Sequence, residues 1–168
     1  IGLGGLGHMG IKLAHALGAY VVMITSSPGK ANDAKMLGAD EVLISGDTAA
    51  MKSHAHSFDF LLNTIPVGHD VDPFLKLLKR DKTMVIVGAN EPLTHVNAAL
   101  LVKRRKNIAG SLIGGIAETQ EMLDFCATHG VLPEVEMIPI QKINEAWERV
   151  VRSDIKYRFV IDMKSLRS

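Results

Sequence analysis

The sequence lacks three features that would narrow its class at once: paired cysteines, a long apolar run and a strong charge of either sign. Its single cysteine, Cys126, excludes an internal disulfide and a zinc site built from several cysteines. No apolar run reaches the roughly 18 residues of a transmembrane helix, so we expect no membrane partner. The formal net charge of +1 gives no reason to expect nucleic acid. With 47% hydrophobic residues, the 168-residue chain is typical of a globular protein with one core, or with a core and a smaller appendage, and we expect it to be cytoplasmic.

The chain also lacks an initiator methionine, because it opens on Ile1-Gly2. The kind of glycine-rich turn that starts there is normally preceded by a β-strand. We therefore interpret the sequence as a fragment cut inside its first strand. A signal peptide cannot be judged from such an end.

The first ten residues contain the most informative motif. Gly2, Gly4 and Gly7 match G-x-G-x-x-G, and residues 11–17 follow with apolar side chains at helical spacing. In a dinucleotide-binding turn the first glycine permits the tight turn, the second lets a pyrophosphate approach the backbone, and the third lets the helix pack closely. Free N–H groups at the start of the helix then face the phosphates. The motif alone is weak evidence, since a tight turn without a ligand can carry the same glycines.

Apolar, β-prone runs alternate with helical patterns after this turn. We predict strands at residues 20–24, 41–44, 58–63, 83–87 and 107–113, with helices between them. This alternation indicates an α/β fold with a Rossmann doubly wound parallel sheet, which here lacks most of its first strand. From Ala117 onward the pattern becomes helix–strand–helix–strand. We therefore predict a dinucleotide-binding domain at residues 1–115 and a small additional segment at residues 116–168.

The residues after the strand at 20–24 lack the acid that holds the ribose hydroxyls of NAD in this fold. Thr25, Ser26 and Ser27 occupy that position, Lys30 lies just beyond, and the first acid is Asp33, inside the next predicted helix. A carboxylate there would repel a 2′-phosphate, whereas hydroxyls and an ammonium would bind it. We therefore favour NADP(H) as the cofactor. The alternative is a simple turn beside a solvated lysine.

Several segments together resemble one family, the zinc-type medium-chain alcohol dehydrogenases, and within it the cinnamyl alcohol dehydrogenase branch with its bacterial NADPH-dependent aldehyde reductases. They are GLGGLGH at 2–8, TSSPGK at 25–30, GSLIGG at 110–115, ETQEMLDFC at 118–126, INEAWERV at 143–150 and DIKYRFVID at 154–162. The resemblance covers nearly the whole chain. It implies that residues 1–115 are the coenzyme domain and that residues 116–168 are the returning C-terminal part of the catalytic domain.

The same resemblance implies which residues hold NADP(H). The backbone from Gly4 to Gly7 would cradle the pyrophosphate, and Arg158 would reach back to the phosphates. Other positions match the 2′-phosphate clamp, the nicotinamide contact and the segments that hold the carboxamide. The complete predicted set is Gly2, Gly4, Gly5, Leu6, Gly7, Thr25, Ser26, Ser27, Lys30, Thr64, Gly88, Ala89, Ser111, Leu112, Ile113 and Arg158.

The resemblance further implies that the parent protein transfers hydride between NADP(H) and an aldehyde or primary alcohol. In the family a catalytic zinc polarises the substrate oxygen, and its ligands come from the N-terminal catalytic domain. We identify no catalytic residue and no metal ligand in this chain, so we expect the fragment alone to be inactive. The resemblance also implies a homodimer formed through the edge strand at 108–113, where an unpaired apolar edge would otherwise invite aggregation.

Two other functions remain open. A non-catalytic NADP(H)-binding or regulatory module fits the absence of catalytic residues. A methyltransferase also has a glycine loop after its first strand, but Ser26 and Ser27 stand where it would prefer an acid.

Some residues invite a metal or nucleophile assignment that their spacing does not support. The seven histidines include His54 and His56, which do not share a helical face, so we interpret them as structural. We predict Cys126, Met122 and Trp147 to be core residues. The run Lys103-Arg104-Arg105-Lys106 is typical of a solvated helix end.

Overall fold

The structure is a computed structural model that describes residues 1–88, 91–152 and 154–167. In these ranges the helices are α1 Gly5–Ala16, α2 Ala31–Met36, α3 Thr48–Ser53, α4 Asp72–Leu77, α5 Ala98–Val102, α6 Ile116–His129 and α7 Ile143–Val151. The strands are β1 Val22–Thr25, β2 Glu41–Ile44, β3 Phe58–Asn63, β4 Leu78–Ile86, β5 Asn107–Gly110, β6 Val135–Pro139 and β7 Arg158–Asp162. None of these helices is long and apolar enough to span a bilayer.

The strands pair in parallel, β2 with β1 in one sheet and β3–β4–β5 in another. Ile1 and Gly2 lie between β1 and β3 and connect them. The Ile1 amino group donates to the Leu62 carbonyl at 2.6 Å, and the Gly2 N–H donates to the Ile24 carbonyl at 3.0 Å. The resulting order, β2–β1–residues 1–2–β3–β4–β5, is that of a doubly wound sheet, in agreement with the predicted fold. The remaining space between β1 and β3 is an apolar groove of about 620 Å³.

Apolar side chains pack on both faces of this sheet. Met23 belongs to a buried cluster with Ile11 of α1 and Ala34 of α2. Its neighbour Ile24 belongs to a second cluster with residues of α3 and α4, among them Leu75. Since neighbouring residues of a strand point to opposite faces, the helices cover the sheet from both sides. This two-sided burial explains why residues 21–24, which form most of β1 and its approach, are continuously apolar rather than alternating.

Three predicted strands have different limits in the structure. The first strand, β1, is Val22–Thr25 rather than residues 20–24. The edge strand β5 ends at Gly110 rather than at Ile113, because its partner β4 ends at Ile86, which pairs with Gly110. The β4 strand begins at Leu78 rather than at Thr83, since α4 already ends at Leu77. The boundaries were therefore wrong by up to five residues, although every predicted strand of the large sheet is present.

The tail from α6 onward forms a separate parallel pair, β6 with β7, and α7 connects these two strands. The predicted core positions in this part are wrong. Trp147 is 69% exposed and Met122 is 40% exposed, while Cys126 is half-buried with its Sγ 3.6 Å from the Met122 sulfur. A two-stranded sheet offers little apolar surface, so α6 and α7 keep much of theirs exposed.

The tail docks on the beginning of α1. The Lys12 ammonium bonds to the Leu132 carbonyl at 2.7 Å and to the Glu134 carboxylate at 2.5 Å. The His8 ring stacks on the Tyr157 ring with centroids 4.7 Å apart, and His8 Nε2 accepts from the Glu134 N–H at 3.3 Å. His8 is fully buried by these contacts. The last segment of the chain is thereby placed beside the glycine turn.

The glycine turn is tight because α1 begins against the preceding backbone. Gly2 adopts a φ of +90°, a conformation that favours glycine. A Cβ on Gly7 would lie 2.0 Å from the Gly2 carbonyl oxygen and 3.2 Å from the Thr64 hydroxyl. The absence of a side chain at Gly7 therefore sets how closely the helix approaches the strand ends.

Replacing Gly7 with alanine should lower the free energy of unfolding by about 1–3 kcal/mol, because the new methyl group must displace the Gly2 backbone. The measurement is urea unfolding followed by circular dichroism. Gly29→Ala is the matched control, since no atom lies within 4 Å of the Cβ that it adds. Equal stability of the two variants would contradict the close approach.

Burial lowers the pKa of His8 below its ordinary value of 6.5. The folded chain then binds fewer protons than the unfolded chain below that pH. The contribution of His8 to the free energy of unfolding should therefore fall as the pH drops from 6.5 through the folded-state pKa, and that contribution should be fully retained above 6.5. Urea unfolding across this range for the unsubstituted chain and for His8→Asn measures the effect. An identical pH dependence in both proteins would refute the assignment to His8.

Candidate functional site

The predicted site residues follow the carboxyl ends of the parallel strands. The glycine turn follows residues 1–2, Thr25 closes β1, Thr64 follows β3, Gly88 comes two residues after β4, and Ser111 follows β5. In an open parallel sheet ligands bind along this edge, at the point where the strand order reverses. That point lies between residues 1–2 and β3. The fold thus brings these segments to one edge of the sheet.

A cavity of about 950 Å³ opens at this point. Its walls come from the glycine turn, from the β3–α4 loop, from the short turn that ends at Lys30, and from the tail. The lining residues named by prediction are Gly2, Gly4, Gly5, Lys30, Thr64 and Arg158. Gly2 and Arg158 lie near opposite ends of the sequence, so only the tertiary structure brings them to one cavity.

The floor of the cavity is bare backbone at the start of α1. Gly4 precedes the helix, and a Cβ placed on it would have no atom within 4 Å. The Arg158 guanidinium lies against Gly5, 3.2 Å from where a Cβ of that residue would be. Helix α1 has 12 residues, and its first N–H groups carry the positive end of the helix dipole. An anion in the cavity would meet both the helix start and the guanidinium.

The cations of the cavity differ in whether they have an acidic partner. Within the described ranges, Lys30 and Arg158 form no ion pair, and the Lys30 ammonium donates to the Leu3 carbonyl at 3.0 Å. Lys156, in contrast, pairs with Asp33 at 2.8 Å, and Arg149 pairs with Glu136 through two bonds of 2.6 and 2.9 Å. The Glu136 partner raises the pKa of Arg149, and Arg149 lowers the pKa of Glu136. Two positive groups thus remain available for an anionic ligand.

The serines after β1 lie on the surface beside this cavity rather than in its wall. Ser26 is exposed, and the Ser27 N–H donates to the buried Thr25 hydroxyl at 3.2 Å. A turn of Pro28–Lys30 then leads into α2. The turn places two hydroxyl groups and the Lys30 stem in one continuous segment. No carboxylate precedes Asp33 in it.

The other predicted positions have different surroundings. Gly7 and Gly88 are buried beneath the cavity, and a Cβ on Gly88 would lie 2.4 Å from the Thr64 carbonyl group. Leu6 is 48% exposed. The segment after β5 is a surface loop that does not line the cavity, with Leu112 91% and Ile113 89% exposed. Ala89 lies outside the described residues.

Sequence reasoning missed the residues that join the tail to the glycine turn. Burial raises the pKa of Tyr157 to about 12, and the nearby carboxylates of Asp33 and Glu134 add to this effect. The Tyr157 hydroxyl is buried without a hydrogen-bond partner among the described residues. His8 ends the quoted segment GLGGLGH, and Lys156 and Tyr157 lie in DIKYRFVID. Their spacing carries no signal that they would meet.

A metal site does not form among the described residues, which contain no group of three His, Cys, Asp or Glu side chains able to hold an ion. His54 bonds instead to Glu41 at 2.9 Å, and His56 bonds to the Leu78 carbonyl at 3.2 Å. These residues of the chain therefore do not fit the catalytic zinc that the family resemblance implies. By contrast, the bare helix start and the free cations fit a dinucleotide.

Comparisons with known proteins agree with this geometry. The profile of the family described as zinc-binding dehydrogenase matches residues 5–128. Aldehyde reductase YahK of Escherichia coli K12 is 56% identical over 167 residues, which are 99% of this chain and 48% of that protein. NADP-dependent alcohol dehydrogenase C 1 of Mycolicibacterium smegmatis is 50% identical over 100% of this chain and 48% of its own length.

Solved structures show the same relation. A cinnamyl alcohol dehydrogenase from Sorghum bicolor superposes with a TM-score of 0.92 at 45% identity, over 96% of this chain and 46% of that one. The protein of Helicobacter pylori described as a CAD complexed with NADP(H) superposes with a TM-score of 0.84 at 34% identity, over 97% of this chain and 46% of that one. The chain spans about half the length of the curated relatives it matches. On the strength of the matched residues 5–128 and of these relatives, the chain belongs to the zinc-binding dehydrogenase family.

Proposed function

We propose that the chain is the NADP(H)-binding part of a zinc-dependent alcohol dehydrogenase that transfers hydride between NADP(H) and an aldehyde or primary alcohol. The observation that carries the proposal is the cavity at the switch point of the sheet. It combines the bare backbone of Gly4 with the charges of Lys30 and Arg158, neither of which forms an ion pair with a residue that the structure describes. The relatives named as NADP-dependent alcohol dehydrogenase and aldehyde reductase support the choice of cofactor and reaction.

The pyrophosphate is assigned to the start of α1. There three of the four residues from Gly4 to Gly7 are glycines, so the backbone N–H groups at the helix start are little covered by side chains of their own segment, and Gly5 lies against the Arg158 guanidinium. Charge-assisted hydrogen bonds from a guanidinium to phosphate oxygens are stronger than neutral ones. Arg158 thus contributes to binding whichever dinucleotide enters, since NAD and NADP share the pyrophosphate.

The 2′-phosphate is assigned to the segment after β1. Ser26 and Ser27 supply hydroxyl donors, and Lys30 supplies an ammonium group next to the glycine turn. The segment has no acid at the position where NAD-binding members of this fold hold the ribose. The chemistry of these donors therefore favours NADP(H) over NAD(H).

The nicotinamide half is assigned to the residues around Thr64 and Gly88. The family resemblance implies a contact from the segment Ser111–Ile113 as well, although that segment lies outside the cavity wall. The Thr64 hydroxyl contacts the carbonyl oxygens of Ile1 and Gly2, each at 3.0 Å, and so holds the glycine turn against the end of β3. Gly88 packs on the Thr64 backbone. The role of Thr64 is therefore partly to shape the turn that receives the cofactor.

NADP(H) supplies the hydride chemistry, and the residues of this chain bind and orient it. The described residues hold no metal cluster, so no chemical step is assigned to them. Residues 1–115 form the proposed coenzyme domain, and residues 116–168 form the proposed return to a catalytic domain. The alternative, a non-catalytic NADP(H)-binding module, is also compatible with the lack of a metal cluster among the described residues. Loss of NADPH absorbance on adding an aldehyde to the full-length protein, with this chain alone inactive, would distinguish the enzyme from the module.

A homodimer is proposed at the β5 edge and the loop that follows it. Leu112, Ile113 and Ile116 are 89–94% exposed next to this unpaired strand edge. Exposed apolar residues beside a free edge are covered in stable proteins by pairing or by another chain. A second copy that adds its own β5 would extend the sheet across both chains.

The substitution Ser26→Asp should weaken NADPH binding about tenfold or more and improve the relative affinity for NADH. The new carboxylate repels a 2′-phosphate and accepts hydrogen bonds from ribose hydroxyls. Calorimetric titration of this chain with NADPH and, separately, with NADH measures both affinities. An unchanged preference would contradict the role of Ser26.

Arg158→Gln provides the comparison for this experiment. Because the proposed partner of Arg158 is the pyrophosphate, which both cofactors carry, the substitution should lower the affinities for NADPH and NADH by similar factors. A lower affinity for NADPH alone would mean that Arg158 binds the 2′-phosphate rather than the pyrophosphate. If the unsubstituted chain binds neither cofactor, the proposed function fails.

Replacing Ile113 with lysine should convert a dimer of this chain to a monomer, because two ammonium groups would face each other across the proposed interface. Size-exclusion chromatography with light scattering measures the mass. Met36→Lys is the control, since Met36 is 78% exposed on α2, away from β5. A monomeric unsubstituted chain, or a dimer that survives Ile113→Lys, would contradict the proposed interface.

A further inference from the structure

The last segment of the chain delivers two cations to the same cavity. Lys156 and Arg158 flank Tyr157, whose ring stacks on His8 at the start of α1. The Tyr157 N–H also donates to the Glu134 carbonyl at 3.3 Å. These contacts hold the segment beside the glycine turn. The two cations nevertheless have different neighbours, since Arg158 lies against Gly5 whereas Lys156 pairs with Asp33.

Asp33 is the acid nearest in sequence to the proposed phosphate clamp. It lies in the first turn of α2, three residues after Lys30, and it lines the same cavity as Gly4 and Lys30. Its side chain is only 17% exposed, so solvent screens its charge less than that of a surface carboxylate. An unpaired carboxylate at this place would repel a phosphate group held by Lys30.

We propose that Lys156 is a specificity-determining positioning residue, which neutralises Asp33 and thereby lets the cavity accept the 2′-phosphate of NADP(H). The inference rests on the proposed function and deepens it. Lys156 acts through Asp33 rather than on the cofactor, because its ammonium group is already bonded to that carboxylate at 2.8 Å. The cofactor preference thus depends on a residue that is 123 positions from Asp33 in sequence.

The size of the effect follows from exposure. The Lys156 side chain is 66% exposed, so the pair is partly screened by water and salt. Exposed ion pairs are worth up to about 1 kcal/mol, which corresponds to about a fivefold change in a binding constant. We therefore expect a selective but moderate loss of NADPH affinity rather than a loss of binding.

The experiment is calorimetric titration of the 168-residue chain with NADPH and with NADH, at low and high salt. Lys156→Gln should lower the affinity for NADPH about fivefold and should change the affinity for NADH less than about twofold. The double variant Asp33→Asn/Lys156→Gln should recover the NADPH affinity, since no carboxylate is left to neutralise. Lys164→Gln removes the same charge from an exposed position in the tail and should change neither affinity.

The other outcomes overturn the inference in distinguishable ways. Equal weakening of NADPH and NADH by Lys156→Gln would mean that the pair merely anchors the tail. A selective NADPH loss that Asp33→Asn does not repair would mean that Lys156 binds the phosphate directly. If Lys156→Gln has no effect while the unsubstituted chain prefers NADPH, the inference fails and the proposed function stands. If the unsubstituted chain binds neither cofactor, both fail.

Discussion

The structure depends on one steric constraint, the contact of α1 with the ends of the central strands. The space at Gly7 is so narrow that a Cβ there would lie 2.0 Å from the Gly2 carbonyl oxygen. The Thr64 hydroxyl reaches the same carbonyl at 3.0 Å. Since the turn, the helix and β3 meet at this point, the start of α1 is held at the strand ends. The first N–H groups of α1 consequently lie at the wall of the cavity.

The second determinant is the return of the tail to that helix. Lys12, His8 and Asp33 each contact the tail, and each lies on α1 or α2 of the nucleotide-binding part. Through these contacts the tail supplies Arg158 to the proposed pyrophosphate site and Lys156 to Asp33. These contacts join the tail to the first part of the chain and do not locate a boundary between them. The division at residue 115 therefore stays a prediction. Charge in the cavity is therefore set by two distant parts of the chain.

Much of the fold could be predicted because it depends on local patterns. The continuous apolar run around Met23 correctly indicated a strand buried on both faces. Predictions failed where burial depends on what packs on a residue. Trp147 has helical apolar spacing but is largely exposed, and Lys106, assigned to a solvated helix end, is buried with its ammonium bonded to the Leu75 carbonyl. Burial also lowers the pKa of this lysine.

The sequence by itself determined the order of the elements, the glycine turn and the absence of an acid after β1. These follow from residue types at short spacing, which act within one turn or one strand. Only the tertiary structure decided that Lys30 and Arg158 share a cavity and have no acidic partner in the described part of the chain, and that Lys156 pairs with Asp33. The reason is that the partners of a charged side chain are its neighbours in space, and the two members of this pair are 123 positions apart in sequence.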